Sequence, residues 1–247
     1  MRTFRQRPFR SWGLLSLLLL ASCENSHCGY AADEFRASTG SAYATNFPAA
    51  ENPVSEGGKW VDTRATSTDW ANIATTPGLA HGTESGSDGY DDSIALLAGT
   101  WGSDQMAEAT VHSVNQTDRT DSVFEEVELR LRSSLSPHRA TGYEINFRCS
   151  KTAKAYAQIV RWDGHFGKFT YLHTEDGARF GVADGDVVKA TIVGNVITAY
   201  INGLQVLRAT DNTYAAGSPG MGFFLHGTAS GANQDFGFAT FKASDKF

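Results

Sequence analysis

Residues 184–227 read DGDVVKATIVGNVITAYINGLQVLRATDNTYAAGSPGMGFFLHG, and this stretch decides the fold class. The β-branched runs Val187–Val193 and Val196–Ile201 are joined by a Gly-Asn pair, which is typical of a two-residue β-hairpin turn. An Asn-Gly pair then predicts a second turn, which leads into a third strand at 204–209. The stretch therefore predicts consecutive antiparallel strands connected by tight turns.

Apolar and polar residues largely alternate along two segments in the middle of the chain, 123–132 and 143–149. A two-residue period places the apolar side chains on one face of a strand and the polar side chains on the other. The meander continues in four further predicted strands, at 156–162, 168–173, 221–225 and 236–241. No segment has the period of an amphipathic helix, so the sequence predicts an all-β domain.

These strands carry a resemblance to a known superfamily. With VFEEVELRLRSS at 123–134, GYEINFRCS at 142–150, AYAQIVRWDGHFGKFTYL at 155–172 and FGFATFKAS at 236–244, the chain resembles the concanavalin A-like lectin/glucanase superfamily. It is most similar to the laminin-G-like and keto-disaccharide-hydrolase-like modules of secreted bacterial proteins. The resemblance covers residues 46–247 and implies a jelly-roll β-sandwich of two curved antiparallel sheets. It specifies the fold better than the activity, because one fold hosts many functions.

The N-terminal residues predict export and a lipid anchor. Four arginines precede an apolar run at 12–20 that is too short to span a bilayer, and the run ends in Leu-Ala-Ser-Cys. This ending resembles the lipobox of bacterial lipoproteins, which implies removal of the signal peptide at 1–22 and acylation of Cys23 at a membrane of the bacterial cell envelope. The alternative is an ordinary secretory signal that is cut near residue 31. Residues 23–45 are predicted to be a flexible tether.

The charge balance excludes nucleic acid as a predicted partner. Removing residues 1–22 takes away four arginines and no acids, so the formal net charge changes from −6 to −10. Nucleic-acid binding rests on the neutralisation of phosphates by Lys and Arg, and no basic run follows the signal.

The resemblance implies that a sugar lies on the concave sheet or on the loops at its rim. If the predicted strands are neighbours, their polar faces form one surface that includes Arg132. The candidate carbohydrate-binding residues on it are Glu126, Glu128, Arg130, Glu144, Asn146, Arg148, Tyr156, Gln158 and Trp162. Carboxylates and amides bond hydroxyls, Arg grips a uronate, and a ring such as Trp162 at the rim covers a pyranose face. The alternatives are a solvated face with cross-strand ion pairs and, for Trp162, a residue that pins a loop to the core.

A glucanase motif is only partly present. Retaining glucanases of the superfamily carry Glu-x-Asp-x-x-Glu or a near variant, which places the nucleophile and the general acid together on the concave face. In this chain the segment reads Glu126-Val127-Glu128-Leu129-Arg130. An arginine takes the place of the last acid, so the assigned general acid is missing.

A lyase motif is also only partly present. Alginate lyases on this fold use strands resembling Arg-x-Glu-Leu-Arg and Gln-Ile-His, and the histidine moves protons during β-elimination. Here Gln158-Ile159-Val160 matches the second strand, with Val160 in the place of the histidine. Tyr200, His173 and Tyr156 are the possible substitutes.

Metal and disulfide sites have less definite patterns. The histidines have no spacing that gathers zinc ligands. Calcium is possible because it binds loop carboxylates, and the candidate sources are 88–92, 184–186 and Asp211, although turn chemistry also explains them. Cys28 and Cys149 either pair in an oxidising compartment or remain two thiols.

The predicted function is that of an exported, lipid-anchored carbohydrate-binding module that engages a polysaccharide or glycan. A uronate-specific lyase or glycoside hydrolase that uses the same face is the first alternative. An envelope or adhesion protein that binds no sugar is the second.

Overall fold

The computed structural model describes residues 40–66, 69–87, 89–114, 123–227 and 232–247. The predicted signal peptide, the acylation site Cys23, Cys28 and the tether before residue 40 lie outside the described residues. Among the described residues, no helix is long and apolar enough to cross a membrane. Three 3-10 turns of three residues each accompany the strands in these ranges, at Arg64–Thr66, Ala178–Phe180 and Ala232–Gln234.

The strands form two antiparallel sheets. The outer sheet contains β1 (Ala42–Thr45), β3 (Ala74–Thr76), β4 (Leu79–His81), β6 (Gln105–Ser113), β11 (Val187–Val193), β12 (Val196–Ile201), β13 (Leu204–Thr210) and β15 (Phe236–Ser244). The groove sheet contains β2 (Trp60–Asp62), β5 (Ser93–Leu97), β7 (Phe124–Ser136), β8 (Arg139–Arg148), β9 (Tyr156–Gly164), β10 (Phe169–Asp176) and β14 (Ser218–His226). This arrangement confirms the predicted all-β jelly-roll sandwich.

In both sheets, some hydrogen-bonded neighbours are consecutive strands of the chain and others are far apart in the sequence. In the groove sheet the order is β10-β9-β8-β7-β14-β5-β2, and in the outer sheet it is β13-β12-β11-β6-β15-β4-β3, with β1 on β15. The β7 to β10 meander and the β11 to β13 hairpins follow the sequence analysis. The insertion of β14 between β7 and β5 joins segments far apart in the chain, as expected of a jelly roll.

The core lies between the two sheets. The alternation of apolar and polar residues in β7 and β8 explains which of their side chains point into it. Leu129 is opposite Ile145 and Val127 is opposite Phe147, and all four side chains are fully buried. The outer sheet contributes small side chains from β6 and the aromatic rings of β15, at Phe236, Phe238 and Phe241. The predicted core face of these strands is therefore confirmed, with Cys149 buried in the same core.

The two turns of the β11 to β13 hairpins are confirmed. Val193 pairs with Val196 across Gly194, whose φ is 58°, and Asn202 and Gly203 have φ values of 51° and 79°. Positive φ at both central residues is the requirement of a type I′ turn, which explains why the sequence places Asn-Gly there.

The sandwich begins earlier than predicted. Strand β1 pairs with Phe241 to Ser244 of β15, so residues 42–45, which the sequence analysis placed in the tether, belong to the outer sheet. The segment is short and rich in small residues. Its strand character therefore comes from pairing with β15 rather than from a visible apolar period.

Arg132 does not lie on the polar face of β7, contrary to prediction. The register of β7 against β8 shifts between Leu131 and Ser134, and Arg132 has a φ of 45° at this bulge. Its guanidinium instead donates to backbone carbonyl oxygens of Ser103, Tyr214 and Gly194. A bulge re-aims a side chain in this way, and the two-residue period cannot show it.

Candidate functional site

A groove of about 370 Å³ lies on the face of the groove sheet that points away from the core. Cross-strand pairing explains how the polar side chains meet there, because Glu128 is opposite Asn146 and Asn146 is opposite Gln158. Seven of the nine predicted carbohydrate-binding residues line the groove, namely Glu126, Glu128, Glu144, Asn146, Tyr156, Gln158 and Trp162. The other two, Arg130 and Arg148, are opposite Glu144 and Glu126 and lie just behind the lining.

Arg130 holds three carboxylates together at the floor of the groove. Its Nη2 atom donates to Asp92 Oδ2 at 3.0 Å and to Glu128, and its Nη1 atom contacts Glu144 Oε2 at 2.9 Å. The alternative of cross-strand ion pairs is present in the contact between Arg130 and Glu144, but all four side chains are buried, so this part of the face is not solvated. The Glu128 and Arg130 side chains also fill the space above Gly222 of β14, where a Cβ atom would overlap the Glu128 carboxylate.

Burial and an excess of acids change the pKa values of this floor. Burial, with repulsion from Glu144, raises the pKa of Asp92 to about 7, and burial also raises the pKa of Glu128. For Arg130, burial acts to lower the pKa, but the neighbouring carboxylates outweigh burial and raise it. The guanidinium therefore stays charged while some of its partners retain protons at neutral pH.

Glu126 and Tyr156 form the second part of the floor. The Tyr156 hydroxyl donates to Glu126 Oε1, and the Arg148 guanidinium lies 4.6 Å from the ring centroid of Phe124 and 5.7 Å from that of Tyr156. Burial raises the pKa of Glu126 to about 8 despite the hydrogen bond from Tyr156, and burial also raises the pKa of the Tyr156 hydroxyl. At neutral pH the Glu126 carboxyl is therefore mostly protonated.

Trp162 is buried in the floor and does not project from the rim as a sugar-stacking platform. Its indole Nε1 donates to Glu144 Oε2, and the ring centroid lies 5.5 Å from that of Trp70 in an edge-to-face arrangement. The Arg130 guanidinium lies 5.7 Å from the Trp162 centroid. The alternative role, packing against a loop, describes this residue better, since Trp70 belongs to the segment before β3.

Asn146 has a buried acceptor that no described residue satisfies. Its Nδ2 atom donates to Glu144 Oε1 at 2.9 Å and to Gln158 Oε1 at 3.2 Å, whereas Oδ1 accepts no hydrogen bond from the described residues. Asn146 is 4% exposed and lines the groove. A buried amide oxygen without a partner is unfavourable, so this atom is a natural contact for a ligand hydroxyl or amine.

An aromatic wall stands at one side of the groove, and the sequence analysis did not identify it. It consists of Tyr90, Phe169 and Tyr171, whose adjacent ring centroids are 5.1 Å and 5.2 Å apart. Tyr171 is 55% exposed and Tyr90 is 47% exposed, although both line the groove. Applying the two-residue period to β10 would have placed Phe169 and Tyr171 on one face. Tyr90 and Asp92 come from the loop before β5, and no local pattern indicates their position.

The proposed substitutes for a lyase base are not together. Tyr156 lines the groove, but Tyr200 lies on β12 of the outer sheet. His173 contacts the backbone oxygen of Arg208 at 2.9 Å and does not line the groove. Val160, in the place of the lyase histidine, does line it and supplies no proton.

Two of the candidate calcium ligands contact protein cations. Asp186 is 2.8 Å from Lys151 Nζ, and Asp211 is 2.7 Å from Arg161 Nη1. In the groove, carboxylate oxygens of Asp92, Glu128 and Glu144 lie within 4.8 Å of one another, but the Arg130 guanidinium binds all three and supplies the positive charge. Asp88 lies outside the described residues. Calcium binding stays a prediction.

No protein-family model and no curated protein matches the chain. Among solved structures, the chain is similar to the carbohydrate-binding module CBM66 from Bacillus subtilis, at 17% identity over 70% of this chain and 95% of that one, with a TM-score of 0.50. A kappa-carrageenase from Zobellia galactanivorans is 12% identical over 85% and 97% of the two chains, with a TM-score of 0.46. A Bacillus licheniformis beta-glucanase is 14% identical over 83% and 95%, with a TM-score of 0.41. The first similarity supports the jelly-roll fold.

Proposed function

We propose that this protein binds a polysaccharide or glycan in the groove of the groove sheet. The observation that carries the proposal is the combination of an exposed aromatic wall with a buried polar floor. Tyr90 and Tyr171 line the groove with exposed rings, and Asn146 lines it with an unsatisfied amide oxygen. A pyranose needs both features, because its C–H face packs on a ring while its hydroxyls require hydrogen bonds. The similarity in fold to a carbohydrate-binding module supports the same proposal.

The arrangement of the carboxylates favours binding over catalysis. A general acid or nucleophile must reach the substrate, whereas Asp92, Glu128 and Glu144 are buried and bonded to Arg130. Arg130, the arginine that takes the place of the last acid of the glucanase motif, is the residue that makes these bonds. Arg130 thus changes a potential acid pair into a neutralised, rigid floor.

A glycoside hydrolase is the second candidate, and Glu126 is the observation that favours it. This carboxyl lines the groove, accepts a hydrogen bond from Tyr156 and has a pKa of about 8, so it is protonated at neutral pH as a general acid must be. Glu144 lines the same groove, and its contact with Arg130 would have to break before it could act as the carboxylate partner.

The experiment that tests the proposal uses affinity electrophoresis of the 40–247 segment on a panel of neutral, amino and uronic-acid polysaccharides. Reducing ends and unsaturated uronates are followed on the same panel. Retardation without product is expected, and it should be clearly reduced in Tyr171→Ala but unchanged in Tyr200→Ala, a matched change on the outer sheet. New reducing ends would favour the hydrolase. If no polysaccharide of the panel retarded the protein or gave product, glycan binding would be contradicted.

We further propose that the chain is exported and anchored by acylation of Cys23 at the bacterial cell envelope. The support is the cationic, apolar and small-residue order of residues 1–23. The test is metabolic labelling with a radioactive fatty acid in a bacterial host. Label should enter the wild-type chain and be absent from Cys23→Ser. Equal labelling of both chains would contradict the anchor.

A further inference from the structure

We infer that the glycan in the groove carries free amino groups, and that the groove rejects uronates. This inference rests on the proposed function, since it names the ligand class of the same groove. Its basis is the balance of charges and of hydrogen-bond donors and acceptors among the groups that reach the opening.

The guanidinium groups near the groove are committed to protein partners. Arg130 is 2% exposed and binds Asp92, Glu128 and Glu144, so a ligand carboxylate would have to displace one of them. Arg148 is 8% exposed, donates to the backbone oxygen of Lys154 at 3.0 Å and packs over Phe124. Neither presents the open, paired donors that recognise a carboxylate.

Apart from the exchangeable protons that its carboxyl groups hold, the lining has more acceptors than donors. Four carboxyl groups line the groove, those of Asp92, Glu126, Glu128 and Glu144. The Tyr156 hydroxyl, the Trp162 indole N–H and the Asn146 amide N–H groups all donate to oxygens inside the groove. A ligand that completes this surface must therefore bring donors.

An amino sugar meets this requirement better than a neutral sugar. Burial and a shortage of cations leave protons on some of the four carboxyl groups of the groove at neutral pH. An ammonium group provides three N–H donors and one positive charge, so it can take the place of such a proton, which is released to solvent on binding. The buried Asn146 Oδ1, which accepts no hydrogen bond from the described residues, is an acceptor already positioned for it. The exposed rings of Tyr90 and Tyr171 attract the same cation through their faces.

The test compares four β-1,4-linked hexasaccharides with the same backbone by calorimetry. They carry a hydroxyl, an amine or an acetamide at C2, or a carboxylate at C6. Binding of the glucosamine hexamer should be at least tenfold tighter than that of the glucose and N-acetylglucosamine hexamers, and the glucuronate hexamer should not bind. Tighter binding of a neutral hexamer or of the glucuronate hexamer would overturn the amine inference and leave glycan binding standing. Absence of binding by all four would overturn both.

A matched pair at Gln158 gives a second readout. Gln158 is half-buried, lines the groove and accepts from Asn146, and Gln158→Glu preserves this acceptor while adding a negative charge. We expect Gln158→Glu to bind the glucosamine hexamer several-fold tighter and Gln158→Lys to bind it at least tenfold more weakly. Circular dichroism verifies that both variants are folded. Equal affinities in the two folded variants would contradict the inference.

Discussion

Two arginine-centred clusters in this protein contain the same chemical groups but are built differently. Arg130, in the floor of the groove, is buried with three carboxylates around it. Arg161, on β9, is 22% exposed in its side chain and binds Asp163 and Asp211, both at 2.7 Å. The Arg161 cluster connects β9 to the segment after β13, whereas the Arg130 cluster faces an open groove.

The pKa values show the consequence of this difference. Burial raises the pKa of Asp92 in the groove to about 7. At Asp211 burial also acts to raise the pKa, but hydrogen bonds from Tyr143, Thr213 and Arg161 outweigh it and lower the pKa to about 2. The number of donors for each carboxyl group therefore decides whether a cluster is complete or still has capacity for a ligand.

The largest effect is expected from Arg130→Met. The variant leaves three buried carboxyl groups without their cation, so the free energy of unfolding at pH 7 should fall by about 3–5 kcal/mol. At pH 5 the Asp92 carboxyl, whose pKa is about 7, is protonated, and part of the loss should be recovered. Urea unfolding at both pH values measures the two quantities. A loss below about 1 kcal/mol at pH 7 would contradict the described floor.

The pH dependence of stability should separate the two clusters next. The folded-state pKa of Glu126 is about 8 against an ordinary 4.5, so its contribution to stability is fully present below 4.5 and lost as the pH rises through 8. For Asp211 the folded-state pKa is about 2 against 3.8, so its contribution is present above 3.8 and lost as the pH falls through 2.

Thermal unfolding from pH 2 to pH 9 measures both contributions. Glu126→Gln should flatten the fall in midpoint between pH 5 and pH 8, and Asp211→Asn should flatten the loss below pH 4. If each variant altered the other's pH window instead, the assignment of the two shifts would be wrong.

These two clusters also show what the sequence could and could not predict. The alternation in β7 and β8 is sufficient to place Glu126, Glu128, Glu144 and Asn146 on one face, because the side-chain period of a strand is fixed. The burial of that face was not predictable, since Tyr90 and Asp92 reach it from a loop before β5 through the non-local pairing of β5 with β14. The bulge that turns Arg132 away from the polar face of β7 leaves no sign in the alternation of apolar and polar residues.

A smaller effect is expected at the aromatic wall. Tyr171→Ala should weaken glycan binding about tenfold, which is about 1.4 kcal/mol, because the ring face is lost. The residue is 55% exposed, so the free energy of unfolding should change by less than about 0.5 kcal/mol. Calorimetry and urea unfolding check the two values. If Tyr171→Ala and the wild-type protein bound the best panel sugar with equal affinity, the aromatic wall would not be part of the binding site.

The smallest effect is expected at the second cluster. Arg161→Met removes an ion pair with water access, and we expect it to reduce the free energy of unfolding by about 1 kcal/mol or less. Glycan affinity should not change, since Arg161 does not line the groove. Urea unfolding and affinity electrophoresis measure both. A loss as large as that of Arg130→Met would show that the two clusters do not differ as described.

The most direct test of glycan binding in the groove is a nuclear magnetic resonance titration with the sugar that binds best in the panel. The indole N–H of Trp162 and the side-chain amide of Asn146 report on the floor, and the backbone amides of β10 report on the wall. Our account predicts saturable shifts in these signals and unchanged signals from β12 and β13 of the outer sheet. Shifts confined to the outer sheet, or no shift with any sugar, would contradict it.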